Sequence, residues 1–163
     1  MILVTLGTQD KKFYRLLNVI QKVIDDGIIK DKVIVQAGYS CDYKSNDMEI
    51  LNLVSIDKFK KLISGCDILI THGGVGSIIS GLKENKKIIA VPRLKKYKEH
   101  TNDHQVQIVD NFASEGYILK LDDGEDLSYI IENINDFIPK KYKSNHTDFI
   151  KRVDVEIEKY LNK

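Results

Sequence analysis

The stretch CDILITHGGVGSII, residues 66–79, decides how this chain is read. An apolar run from Ile68 to Ile70 passes through Thr71 and His72 into Gly73, Gly74, Gly76 and Ser77, and apolar residues resume at Ile78. A buried strand that turns through glycines into a helix has this pattern. Glycine admits the tight turn and lets backbone N–H groups approach a ligand with no Cβ in the way. The helix N-terminus adds partial positive charge, so the unit is suited to hold phosphate. A tight turn with no ligand satisfies the same glycines.

Outward from this unit, short β-type runs alternate with longer helical ones, as in an α/β fold with a mostly parallel sheet. Strands are predicted at residues 2–6, 32–37, 49–54, 67–71, 87–91 and 117–120, and helices over 12–25, 56–64, 77–85 and 102–114. These make one Rossmann-like, doubly wound domain. Residues 38–47, GYSCDYKSND, are polar and aperiodic and read as a loop on the carboxyl side of the sheet. Residues 122–134, DDGEDLSYIIENI, read as a turn and a short helix, with the carboxylates of Asp122, Asp123, Glu125 and Asp126 solvated. Phe149, Val153, Ile157 and Leu161 recur every fourth residue, a stripe along a terminal helix. The chain therefore divides into a domain over 1–143 and a C-terminal helix over 144–163. That stripe either packs on its own domain or, with Tyr160, docks a partner.

With 163 residues the chain suits one compact domain and is too short for two domains with a site between them. Lys and Arg number 25 against 24 Asp and Glu, and a net charge of +1 gives no reason to expect nucleic acid or a polybasic membrane anchor. Cys41 and Cys66 form neither a disulfide framework nor a zinc cluster, which suits a reducing cytosol. No apolar run approaches membrane-spanning length.

Two strand ends carry glycine, TLGTQD at residues 5–10 and THGGVGS at residues 71–77. With strand order 3-2-1-4-5-6 they face each other across the switch point where ligands bind in open α/β sheets. Gly7, Thr8 and Gln9 would then border one side of a ligand, and His72, Gly73, Gly74, Gly76 and Ser77 the other. A Walker lysine and the G-x-G-x-x-G fingerprint are both absent, which argues against ATP hydrolysis and hydride transfer. A third group, VPRLKKYKEHTNDHQ at residues 91–105, brings Asn102, Asp103, His104 and Gln105 to a helix start. There they either cap the helix or hydrogen-bond a polyhydroxyl ligand. His100 and His104 share a helical spacing, but without the inner glutamate of H-E-x-x-H or a third ligand they do not make a metal site.

The blocks LVTLGTQ, CDILITHGGVGSI, KKIIAVPR and EHTNDHQ, in that order, resemble the C-terminal half of GT-B glycosyltransferases. The likeness covers residues 1 to about 121. It is nearest to small catalytic subunits of two-subunit enzymes, the PssE-type exopolysaccharide galactosyltransferase subunits and the catalytic subunit of dolichol-linked GlcNAc transferase. The resemblance implies an inverting UDP-sugar transferase in exopolysaccharide or capsule synthesis, with galactose as the favoured sugar and no metal or other cofactor. It places the donor diphosphate on Gly73, Gly74, Gly76 and Ser77, the transferred sugar on Asp103 and Gln105, and Gly7, Thr8, Gln9 and His104 among the other donor-binding residues. Arg93 and His72 would help stabilise the departing phosphate, His72 either donating a hydrogen bond to it or fixing the loop. A polyprenyl-diphosphate-linked acceptor and the base would come with a membrane-anchored Alg14-like or PssD-like subunit. That subunit would recruit this cytoplasmic chain to the inner face of the membrane. The basic loop of Arg93, Lys95, Lys96 and Lys98 would meet lipid diphosphate there or remain solvated. Ser80 stands where many relatives carry a ribose-binding glutamate, which leaves a non-catalytic UDP-sugar sensor as the competing reading.

Overall fold

The computed structural model describes residues 1–39 and 41–143. Strands β1 (Ile2–Thr5), β2 (Val33–Gln36), β3 (Met48–Leu51), β4 (Ile68–His72), β5 (Lys87–Val91) and β6 (Leu119–Lys120) form one parallel sheet. Their order is β3-β2-β1-β4-β5-β6, the doubly wound order expected from the sequence. The α-helices are α1 (Tyr14–Asp25), α2 (Ile56–Gly65), α3 (Val75–Lys83), α4 (His104–Ser114) and α5 (Leu127–Glu132).

Alternation along the strands splits the core into two layers. Ile2, Val4, Val33, Val35, Ile70 and Ile89 face α1 and α5, while Leu3, Ile34, Leu69 and Ile88 face α2, α3 and α4. Leu16, Leu17, Ile20 and Val23 of α1 close the first layer. Ile63, Ile78, Leu82 and Val109 close the second. At Gly81 a Cβ would come within 2.6 Å of Leu69 and 2.9 Å of Ile88, so this glycine lets α3 lie directly on the sheet. That contact fixes where the N-terminus of α3 points.

Several boundaries differ from those expected, each for a local reason. The third strand stops at Leu51 rather than Val54 because its neighbour in the described sheet, β2, ends at Gln36 and turns away at Gly38, where φ is +81°. Leu53 and Val54 thus enter a loop. Helix α1 starts at Tyr14, not Lys12, because the carbonyls of Lys11 and Lys12 accept hydrogen bonds from Arg93 at 2.8 and 3.4 Å. Helix α3 starts two residues early, at Val75. Helix α4 starts late, at His104, whose N–H donates to Asn102 Oδ1 at 3.2 Å. The sixth strand loses Tyr117 and Ile118, and the Tyr117 N–H closes α4 by donating to Phe112 O beyond the left-handed Gly116. Asp126 caps α5 by accepting from Ser128 N–H at 2.9 Å, as an acidic helix start should. The stripe of Phe149, Val153, Ile157 and Leu161, with Tyr160, lies outside the described residues.

Candidate active site

The carboxyl ends of β1 and β4 border a cleft of about 450 Å³ at the switch point. Gly7 and Thr8 follow β1, Gln36 ends β2, and Leu53, Val54, Ile56 and Phe59 come from the β3–α2 loop and the start of α2. His72, Gly74, Gly76, Ser77 and Ser80 complete the wall. Of the residues expected from sequence, the fold thus brings Gly7, Thr8, His72, Gly74, Gly76 and Ser77 together.

The N-terminus of α3 opens onto this cleft. Gly74 is its N-cap and supplies no side-chain cap, so the first-turn N–H groups of Val75, Gly76 and Ser77 have no intrahelical acceptor. A Cβ on Gly76 would meet nothing within 4 Å. Phosphate could approach these donors directly.

His72 forms the floor. Its Nδ1 lies 3.2 Å from the carbonyl oxygen of Thr5, which can only accept, so the neutral ring carries its proton on Nδ1. The other edge lies against Gly7 and Gly74, and a Cβ on Gly7 would fall 2.6 Å from Nε2. Where β1 and β4 end, Thr5 Oγ1 and Thr71 Oγ1 are 2.7 Å apart, and Thr71 Oγ1 donates to His72 O at 3.1 Å. Burial drives the imidazole pKa down to about 4, outweighing the Thr5 carbonyl. At neutral pH the ring is therefore an acceptor toward the cleft and not a ready donor to phosphate.

Arg93 does not line the cleft. It is 1% exposed, stacks on Phe13 with its guanidinium carbon 4.7 Å from the ring centroid, and donates to the carbonyls of Leu6, Lys11, Lys12 and Glu99. Burial lowers its pKa to about 10, which still leaves it cationic at neutral pH. A cation spent on main-chain carbonyls orders the strand ends and leaves no face for phosphate or lipid. Lys96, from the same basic loop, is paired with Asp123.

Gln105 is also turned inward, with Oε1 accepting from Arg93 N–H at 3.0 Å. Gly73 is buried beside it, and a Cβ there would sit 2.8 Å from Gln105 Cβ. Asp103 Oδ1 accepts from Lys95 N–H at 2.9 Å, and exposed His104 stands at the start of α4. Gln9 Nε2 meets His100 Nε2 at 3.1 Å across the rim. These residues, with Arg93, stand around the cleft and not in its wall. Among the described residues no three His, Cys, Asp or Glu side chains gather as a metal site.

The model of the glycosyltransferase family 28 C-terminal domain matches residues 1–159. The chain belongs to that family.

Two relatives named UDP-N-acetylglucosamine transferase subunit ALG13 are similar to this family 28 domain. The one from Candida glabrata is 32% identical over 95 residues, 56% of this chain and 43% of the relative. The one from Candida albicans is 31% identical over 93 residues, 57% of this chain and 30% of the relative. The matched region is thus less than half the length of either relative. Among solved structures, an NMR structure of ALG13 superposes with a TM-score of 0.57 at 18% identity, covering 93% of both chains. The Acinetobacter baumannii MurG crystal structure gives 0.52 at 14% identity over 82% of this chain and 40% of that one. These likenesses establish the GT-B half-fold.

Sequence reading of this family 28 domain missed the apolar wall. Leu53 and Val54 read as strand, and Ile56 and Phe59 as ordinary helix residues. No sequence signal singled it out: Ile56 stands seven residues before buried Ile63, on the same helical stripe, yet the fold leaves it 74% exposed. Gln36 was hidden at the end of a buried strand, where its Nε2 donates to Gly7 O at 3.2 Å.

Proposed function

We propose that this chain is the donor-binding, catalytic subunit of an inverting glycosyltransferase and holds a UDP-sugar in the switch-point cleft. The observation that carries this reading is the uncapped N-terminus of α3 opening beside Gly7 and Thr8, in a chain of the family 28 C-terminal domain. The diphosphate lies on the N–H groups of Val75, Gly76 and Ser77, and the nucleoside lies along Val54, Ile56 and Phe59. An acceptor hydroxyl attacks the anomeric carbon, the bond to the β-phosphate oxygen breaks, and UDP leaves. Charge grows on that phosphate as the bond breaks, so fixed N–H donors favour the transition state over the ground state.

Among the described residues no carboxylate lines the cleft, and His72 sits on the leaving-group side. The base, the acceptor site and the membrane contact therefore come from a second, membrane-anchored subunit presenting a polyprenyl-diphosphate-linked saccharide. Among the described residues no helix is long and apolar enough to cross a membrane. The names of the ALG13 relatives favour N-acetylglucosamine as the transferred sugar, whereas the exopolysaccharide resemblance favours galactose.

Turnover of UDP-N-acetylglucosamine and UDP-galactose, each with and without the co-expressed membrane subunit, tests this reading. Transfer of one sugar only when both subunits are present is the expected result. Tight UDP-sugar binding with no transfer under any condition would make the chain a sensor instead, the role that Ser80 in place of an acid would suit.

A further inference from the structure

We propose that His72 meets the donor diphosphate as an imidazolium, so that each UDP-sugar entering the cleft brings a proton from solvent onto Nε2. The inference rests on the UDP-sugar reading of the cleft and adds the protonation state in which the site binds. Its basis is the hydrogen-bond geometry of the ring. Nδ1–H is committed to the carbonyl of Thr5, so the edge lying against Gly7 and Gly74 carries a lone pair and takes no hydrogen bond from the described residues. That lone pair lines the same cleft into which the free N–H groups of α3 open.

An anionic oxygen drawn in by those N–H groups meets an acceptor. Moving the ring proton to Nε2 would turn the bare Nδ1 onto Thr5 O and replace one repulsion with another. A ring that gains a second proton donates on both sides, to Thr5 O and to phosphate.

Before a ligand binds, burial opposes that proton and outweighs the Thr5 carbonyl, which favours it. Arg93 and His100, both from the β5–α4 segment, are the charged or titratable groups acting on the ring, and both oppose a positive charge there. Thr5 and Thr71, from β1 and β4, are neutral. With the free ring at about 4, the diphosphate must favour the imidazolium by roughly a thousandfold for the proton to stay at neutral pH. A desolvated contact with an anion can supply this.

The test is calorimetric titration of the full chain with UDP-N-acetylglucosamine and UDP-galactose, whose diphosphates are fully ionised and take up no proton themselves. Repeating it in buffers of different ionisation enthalpy near neutral pH counts protons. About half a proton should be taken up per ligand at pH 7 and nearly one at pH 6, and affinity should fall about tenfold per pH unit between about pH 5 and pH 6.5 and level off above pH 7. His72→Asn keeps an N–H for the Thr5 carbonyl but has no Nε2, and should bind more weakly with a flat pH profile. His100→Asn should keep the slope, which separates the floor from the rim. Binding without proton uptake and with pH-independent affinity would overturn the proposal and leave the UDP-sugar site standing. Failure of both nucleotides to bind would overturn the site reading and the proposal with it. If His72→Asn does not fold, the proton count on the unaltered chain decides alone.

Discussion

The imidazole of His72 occupies the space that a side chain on Gly74 would need. Gly76, two residues on, faces open space in the same cleft. The two glycines therefore serve different ends, one admitting the ring and the other admitting a ligand. Gly74→Ala should displace the ring and cost about 1–3 kcal/mol of stability as an overpacking change. Gly76→Ala should stabilise the empty protein by up to about 1 kcal/mol, since alanine is the better helix former, while weakening UDP-sugar binding. Thermal melts with calorimetry check this: loss of affinity in Gly76→Ala without loss of melting temperature is the expected outcome. Unchanged affinity would remove Gly76 from the phosphate site.

Glu99 holds the segment after β5 in place. Its carboxylate is buried, accepts from Arg15 Nε and Nη2 at 3.0 and 2.9 Å, and accepts from Leu94 N–H at 3.0 Å, while its carbonyl accepts from Arg93. Glu99→Gln leaves Arg15 only the longer pairing with Asp123 at 3.6 Å and should cost about 1–3 kcal/mol, with Arg15 partly rehydrated. The same change should loosen Asp103 and Gln105. UDP affinity should then change less than discrimination between UDP-sugars, read by comparing the two binding constants.

Acid should weaken the empty protein through His72. Its pKa is about 4 when folded against 6.5 as the ordinary value, so the unfolded chain takes up the proton first. Stability from the neutral ring is full above about pH 6.5 and falls as pH drops toward 4, by about 3 kcal/mol in total. His72→Asn should flatten that part of the pH–stability curve, which denaturant melts across the range would show. An identical acid slope in the variant would assign the loss to other groups. This trend runs opposite to that of ligand affinity, which rises as pH falls.

The switch-point geometry was legible in sequence because glycines at strand ends are a local signal and the alternating β–α pattern implies a doubly wound strand order. The pairing of β1 with β4 then puts Gly7 beside His72. The fate of Arg93 was not legible. Its four carbonyl partners include Leu6, Lys11 and Lys12, more than 80 residues away in sequence, and only the folded sheet brings them within reach. Gln105 misled for the same reason, since its amide oxygen is claimed by a backbone N–H twelve positions earlier. Leu53 and Val54 were read as strand because apolar spacing cannot tell an edge strand from the apolar wall of a cleft.

Ser80 gives the sharpest test of where the nucleoside lies. Its hydroxyl donates to Gly76 O at 2.7 Å, one helical turn back, so it reaches the cleft only as an acceptor. An acceptor with its proton already spent offers a ribose hydroxyl one neutral hydrogen bond at most. Ser80→Ala should therefore lower UDP affinity by less than about threefold. Ser80→Glu places a carboxylate on the same wall, one turn into α3, where it can accept from both ribose hydroxyls. Charge-assisted bonds of that kind are about twice as strong as neutral ones, so UDP should bind about tenfold tighter, near 1.4 kcal/mol. Repulsion from the diphosphate opposes the gain, which makes the choice of control decisive. The same variant titrated with 2′-deoxy-UDP retains the repulsion and loses one of the hydroxyls. A gain with UDP that shrinks or reverses with the deoxy nucleotide places ribose against residue 80. Equal weakening of both nucleotides would move the ribose off this wall, toward Gln36 and Thr8 on the β1 side of the cleft.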